Sequence, residues 1–298
     1  MPYHLSFRPS LHPMSFRPEW RNLILSPNIR SIGAELGLHA EFSGTRPVVW
    51  APRWRKTLSY KSVFCNALVS NNILTEPQML RAVLRFRLGC SRSGGVIFWQ
   101  IDQHDQTYDG KIMYYRLDCH RDKNHNPNWV GSILARRYGW KDTTSRHCFF
   151  GLHQLSNSPF AHTPAIKLID EKYEPLGVVG GESIAVVEAE KTAVIMSEAY
   201  PQFMWMACGG LNQLQPDKFR PLRGHNLVLF PDTDTTGEAF NRWSEAAQTV
   251  QNQIFWEDSP PIHVSDLLER QATDDQKQRK IDLADYWIET IRLSPQKS

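Results

Sequence analysis

SIAVVEAEKTA (residues 183–193) and HNLVLFPDTDTTG (residues 225–237) decide how this chain is read. SIAVVE is a short apolar run of β-branched and small residues, which predicts a buried strand, and EKTAVIMSEAY then takes a helical period. HNLVLF predicts a second buried strand, and GEAFNRWSEAAQTVQNQ a longer helix behind it. FMWMAC between them reads as a further strand, DKFRPL as a short helical piece, and IFW as a short strand after the long helix. Strands alternating with helices predict a parallel sheet with helices on its faces. In such a sheet ligands bind beyond the carboxyl ends of the strands. Glu188 stands where SIAVVE ends, and Asp232 and Asp234 just past HNLVLFP.

Those three acids are the candidate site. In extended backbone, residues two apart point the same way, so Asp232 and Asp234 are spaced to face one ion. Three carboxylates suit Mg²⁺ or Mn²⁺, because a hard cation takes oxygen ligands and leaves positions for water or substrate phosphate. The competing reading is that a strand-end Asp caps the following helix. Gly237 lets the chain turn tightly into that helix.

Working outward, residues 1–56 are rich in Pro, Arg and Trp without periodicity and read as an irregular arm. SYKSVFCNALVSN and EPQMLRAVLRF predict two helices, with Pro77 in the first turn of the second. GVIFWQID and GKIMYYRL predict an antiparallel strand pair, with Asp109-Gly110 as the turn signal. NWVGSILARRYGW predicts a helix, and CFFGLHQL a strand or turn. Pro159, Pro164, Pro175 and Gly180-Gly181 mark a boundary, giving a basic α+β lobe over 57–160, a linker over 161–180 and the α/β domain over 181–298.

Charge divides along the same line. Residues 1–150 carry 21 Lys and Arg against 10 Asp and Glu, and residues 151–298 carry 13 against 21. A basic part that grips phosphates beside an acidic part that concentrates metal would look like this, and so would unrelated halves of an ordinary protein. No apolar stretch approaches the roughly 18 residues of a membrane span. Five scattered cysteines offer no disulfide framework and point to a reducing cytoplasm. Cys119, His120, His125, His147 and Cys148 fit no standard zinc spacing.

VVEAEKTA followed by LFPDTDTTG resembles the Toprim domain shared by bacterial primases, topoisomerases and some nucleases. The resemblance is nearest to the primase-like branch. It extends to the ACGG turn (Ala207–Gly210), to KIDLADYW (Lys280–Trp287), and to IFWQID, GKIMYY, NWVGSIL and CFFGLHQL, which resemble Toprim-like proteins of Bacteroides-type mobile genetic elements. It covers about residues 60–290 and implies a C-terminal Toprim domain, a Rossmann-like parallel sheet, behind a smaller basic lobe. It implies Glu188 as acid/base or metal ligand and Asp232 and Asp234 as the metal pair. Lys191 is either a phosphate contact or an exposed helix-start lysine. Asp282 and Asp285 are either a further acidic contribution or helix N-terminal acids. Ala189 departs from the family's usual glycine, and no CxxC pair or Walker A motif is present.

In primases the preceding lobe holds template and nucleoside triphosphate, which nominates Lys111, Arg85, Arg87 and Arg116 here. Arg81 and Arg85 share a helix face. Phe98, Trp99, Tyr114 and Tyr115 are candidates for base stacking or for sheet packing. Three functions follow from the resemblance: primer synthesis on single-stranded DNA with a separate helicase as partner, metal-dependent nuclease action, or DNA binding by a replication or mobilisation factor without catalysis. A topoisomerase is disfavoured, since nothing resembles its strand-passage domain.

Overall fold

A computed structural model describes residues 54–139, 147–155, 183–210, 213–255 and 260–293. Nearly all of the expected N-terminal arm and all of the expected linker lie outside these residues. The front part opens with the helices Val63–Ser70 and Glu76–Phe86. Ser62 caps the first by accepting the Cys65 N–H. Thr75 and Gln78 form a reciprocal capping box on the second, with Pro77 in its first turn.

Four antiparallel strands follow: β1 (Gly89–Cys90), β2 (Val96–Ile101), β3 (Thr107–Met113) and β4 (Asn128–Trp129), in that spatial order. The β2–β3 pair is the one expected, but Asp109-Gly110 is not its turn. Trp99 pairs with Gly110 and Gln100 with Asp109, so both residues lie inside β3. The turn falls at 102–106, where the Asp102 carboxylate accepts the His104 and Gln106 N–H groups. Gly110 is required by packing instead: a Cβ there would lie 2.8 Å from the Trp99 ring. Asp109 accepts the N–H groups of Gly110 and Gly131, tying β3 to the start of the Val130–Tyr138 helix.

The second sheet is parallel, in the order β6 (Met204–Ala207), β5 (Ser183–Val187), β7 (Asn226–Phe230), β8 (His263–Val264). Its alternating residues serve two cores. Ala185, Val187, Trp205 and Phe230 face one core, shared with Phe64, Phe86, Phe98 and Phe150 of the front part. Ile184, Val186, Met206 and Leu229 face the other, with Phe219 and Trp243. Both faces are therefore covered, which explains why these strands are continuously apolar. Ile254 and Phe255 of IFW form no strand (Trp256 lies outside the described residues): Gln251–Phe255 is a π-helical turn continuing the Glu238–Val250 helix, and both side chains are buried beneath the sheet. CFFGLHQL becomes a bridge and a turn. Phe150 and Ala207 exchange two backbone hydrogen bonds, and Leu152–Leu155 is a 3₁₀ turn. The described residues all fall in one compact unit, so the two sheets belong to one body.

Candidate functional site

β5 and β7 are adjacent and parallel, with Val187 opposite Phe230, so Glu188 and the residues after Phe230 emerge at the same sheet edge. The loop before the Leu283–Leu293 helix joins them there, because the Thr233 N–H donates to the Ile281 carbonyl. Thr233 also donates to Glu269 through its hydroxyl, 2.8 Å away. Four carboxylates meet at this edge. Burial, then the negative charges of Asp282 and Glu188, push the Asp232 carboxyl well above the usual range, and nearby Lys191 only partly offsets them. Asp285 is likewise raised, by burial and by Asp282.

The partners of these acids differ. Asp282 accepts the Thr192 hydroxyl (2.7 Å), the Asp285 N–H (2.8 Å) and the Lys191 ammonium (3.2 Å). Burial acts to raise its carboxyl, but Lys191 and these hydrogen bonds hold it below the ordinary value. Lys191 also pairs with Asp285 at 2.7 Å. Burial would discharge that ammonium, yet the two aspartates outweigh it and hold the proton more tightly than usual. Lys191 is thus an internal counter-ion of the acidic edge: it stands at a helix start, as the second alternative had it, but paired and largely covered rather than exposed.

Asp234 is engaged elsewhere. It accepts the Thr236 hydroxyl (2.6 Å) and the N–H groups of Thr236 (2.7 Å), Glu238 (3.2 Å) and Ala239 (2.8 Å). Burial works against its charge, but these bonds win and hold the carboxyl far below the carboxylate range. It anchors the start of the Glu238–Val250 helix, where Gly237 takes a φ of +71°. Ala189 costs the site nothing in backbone strain: its φ of −98° is open to any residue.

Among the basic candidates of the front part, Lys111 reaches the helix that follows Glu188. Its ammonium lies 3.0 Å from both oxygens of buried Glu190 and 3.3 Å from the Gly209 carbonyl, bridging the two sheets. Arg85 contacts Glu198 at 3.0 Å and donates to the Ser197 carbonyl at 2.9 Å, while Arg81 meets the same glutamate at 2.7 Å. Arg87 is 3% exposed, pairs with Asp105 and lies over the Trp54 ring. These arginines fasten elements of the fold together through their intramolecular partners. Arg116 is exposed and pairs with Asp118. Phe98 and Trp99 are buried packing residues.

Carboxylate oxygens are the donor type that Mg²⁺ or Mn²⁺ takes, and a cation there would offset the like charges around Asp232. Among the described residues no three His, Cys, Asp or Glu side chains are placed to hold an ion together. The zinc candidates do not converge: His120 contacts Asp118, His125 contacts Asp122, and His147 contacts Gln100. Sequence reasoning missed Glu190, the residue that Lys111 meets. A helix-start glutamate looks ordinary, and only the tertiary fold brings the two together.

Comparison with known proteins adds a family. The family described as "Domain of unknown function (DUF6371)" matches residues 62–171 and 178–233, over half of the chain. The chain belongs to that family. The match takes in Lys111, Glu188, Glu190 and Asp232. No curated protein sequence matches. Among solved structures, the primase fragment of the bacteriophage T7 primase-helicase protein aligns over 80% of each chain, at 15% identity and a TM-score of 0.41, an overlap too loose to carry an argument. Among the described residues no helix is long and apolar enough to cross a membrane.

Proposed function

We propose that this chain is a Toprim, primase-like protein that carries out metal-dependent phosphoryl transfer on single-stranded DNA from nucleoside triphosphates. The observation that carries the reading is Asp232, whose carboxyl is raised by burial and then by Asp282 and Glu188 at the carboxyl edge of a parallel sheet. Like charges crowded without a cation are a standing electrostatic cost, which a functional site retains because substrate or ion relieves it. Glu188 and Asp232 would hold Mg²⁺ or Mn²⁺, with Asp282 and Asp285 setting the negative field around them. Bound there, the ion would neutralise phosphate charge and acidify an attacking hydroxyl. Lys191 keeps the acids apart and oriented, and Asp234 fixes the loop by anchoring the helix behind it. Arg116, exposed in the segment between β3 and β4, would bear on template phosphates. The sequence resemblance to Toprim proteins supports the same reading.

The test is primer synthesis on single-stranded DNA with ribo- or deoxynucleoside triphosphates and Mg²⁺ or Mn²⁺. Wild-type product, lost by at least about a hundredfold in Asp232→Asn, is expected for removal of a charge that acts on the reacting phosphate. Full product from the variant, or metal-dependent nicking without nucleotides in place of synthesis, would sink the proposal.

A further inference from the structure

We infer that Glu269 is a positioning residue of the acidic edge: through the Thr233 hydroxyl it clamps the loop that carries Asp232, and so fixes how that carboxylate is presented to a divalent cation. The inference deepens the phosphoryl-transfer reading, and rests on it for the cation. Thr233 stands between Asp232 and Asp234 and is 1% exposed. Both of its donors leave the loop and end on the C-terminal segment. The N–H meets the Ile281 carbonyl at 3.2 Å, and the hydroxyl meets Glu269 Oε1 at 2.8 Å. Thr233 follows Asp232 and Ile281 precedes Asp282, so the backbone bond sets how closely those two acids approach. Like charges drive such stretches apart. The two Thr233 bonds oppose that separation, and the bond to Glu269 has a charged acceptor, the stronger kind.

Glu269 is itself held in place. It lies on the short Leu267–Gln271 helix, which buried Leu268 fixes in the core shared by both sheets. Lys277, on the Asp274–Arg279 helix, donates to the Glu269 carbonyl at 2.8 Å, and its ammonium stands 3.9 Å from Oε2. That second oxygen faces the far end of the loop, since a Cβ on Gly237 would lie 3.9 Å from it. One carboxylate thus touches the chain on both sides of Asp234, at Thr233 and at Gly237. A ligand-bearing loop keeps its geometry through outer partners of this kind, and losing one typically weakens metal binding by about ten- to a hundredfold. The family match ends at residue 233, so the clamp joins a matched threonine to a partner beyond the match.

The experiment follows Mn²⁺ binding to the full chain by electron paramagnetic resonance, with hydrogen exchange at the Thr233 amide measured in EDTA. Glu269→Ala and Thr233→Val are each expected to weaken Mn²⁺ binding about tenfold. Each should also speed exchange of that amide about tenfold, the effect of one lost hydrogen bond. The double variant should be no worse than either single one, because both remove the same bond. Glu269→Gln keeps an acceptor for the hydroxyl and should recover most of both effects. Thermal melts establish that each variant is folded, and Thr233→Val, which leaves the Leu267–Gln271 helix untouched, serves if Glu269→Ala is not. Wild-type exchange in the single variants, effects that multiply in the double variant, or no recovery in Glu269→Gln overturns the inference. So does unchanged Mn²⁺ affinity in the single variants when the wild type binds the ion. Absence of Mn²⁺ binding by the wild type, with the exchange effects present, counts against the phosphoryl-transfer reading and leaves the clamp standing.

Discussion

Asp232 and Asp234 are two residues apart and carry opposite electrostatic burdens. Asp232 is raised by burial and then by its acidic neighbours, so the folded state binds a proton more tightly there than the unfolded chain does. Stability therefore falls as pH rises through the range above the ordinary carboxylate value. Asp232→Asn removes that penalty, and in a chelator its urea midpoint at pH 8 is expected to equal or exceed that of wild type. Asp234 is lowered, because its carboxylate satisfies the N–H groups of a helix start. Asp234→Ala should cost about 1–2 kcal/mol, the value of a lost helix cap, in the same urea series. Destabilisation by the first substitution and none by the second would reverse the assignment.

Elements owe their positions to a few contacts of this kind. Gly110 sits in the middle of β3 because Trp99 of β2 lies against its backbone. Gly110→Ala drives a methyl to within 2.8 Å of that ring, and the strand pair must spread to admit it. The expected loss is roughly 1–3 kcal/mol by thermal melt, as for overpacking. Trp99→Leu in the same chain should recover part of it, since the neighbour that clashes is then smaller. The Glu76–Phe86 helix is fixed to the Glu190–Ala199 helix by Arg81, Arg85 and the buried Glu198. Glu198→Ala leaves both guanidiniums without their shared anion and should destabilise by roughly 2–4 kcal/mol, somewhat less than for a fully buried pair.

At the scale of the whole molecule, acid sensitivity centres on His153. It is 2% exposed, and its Nε2 lies 2.9 Å from the Arg85 carbonyl, joining the 3₁₀ turn to the front helices. Burial first, then the Arg87 charge, lower its imidazole from 6.5 to about 3. The unfolded chain thus binds a proton that the folded chain refuses between those values. The stability it contributes is complete above pH 6.5 and is lost as pH falls toward 3. At pH 5 the loss from this group is about 2 kcal/mol, from about 1.4 kcal/mol per pH unit. His153→Gln should flatten the dependence of the unfolding free energy on pH over that window. An unchanged slope would show that His153 titrates normally.

What could be read along the chain was local and periodic. Apolar runs ending in Glu188 and Asp232 announced parallel strands, because a sheet covered on both faces needs no alternation. Thr75, Pro77 and Gln78 announced a helix start, because capping chemistry is complete within four residues. Asp109-Gly110 misled, because a Gly that admits a tryptophan ring and a Gly that makes a turn look alike in sequence. IFW misled because burial beneath a sheet asks for the same residues whether the backbone is strand or π-turn. The acidic residues were legible as types, but their duties were not. Whether an aspartate crowds its neighbours or anchors a helix depends on where its oxygens point, and whether Lys191 is a ligand contact or a counter-ion depends on a loop some ninety residues away. Sequence by itself determined the sheet and the edge at which the acids gather. Tertiary structure alone decided which of them remain charged, which are spent on the backbone, and which lysines meet them, because Coulomb energies depend on distances through space that chain order does not encode.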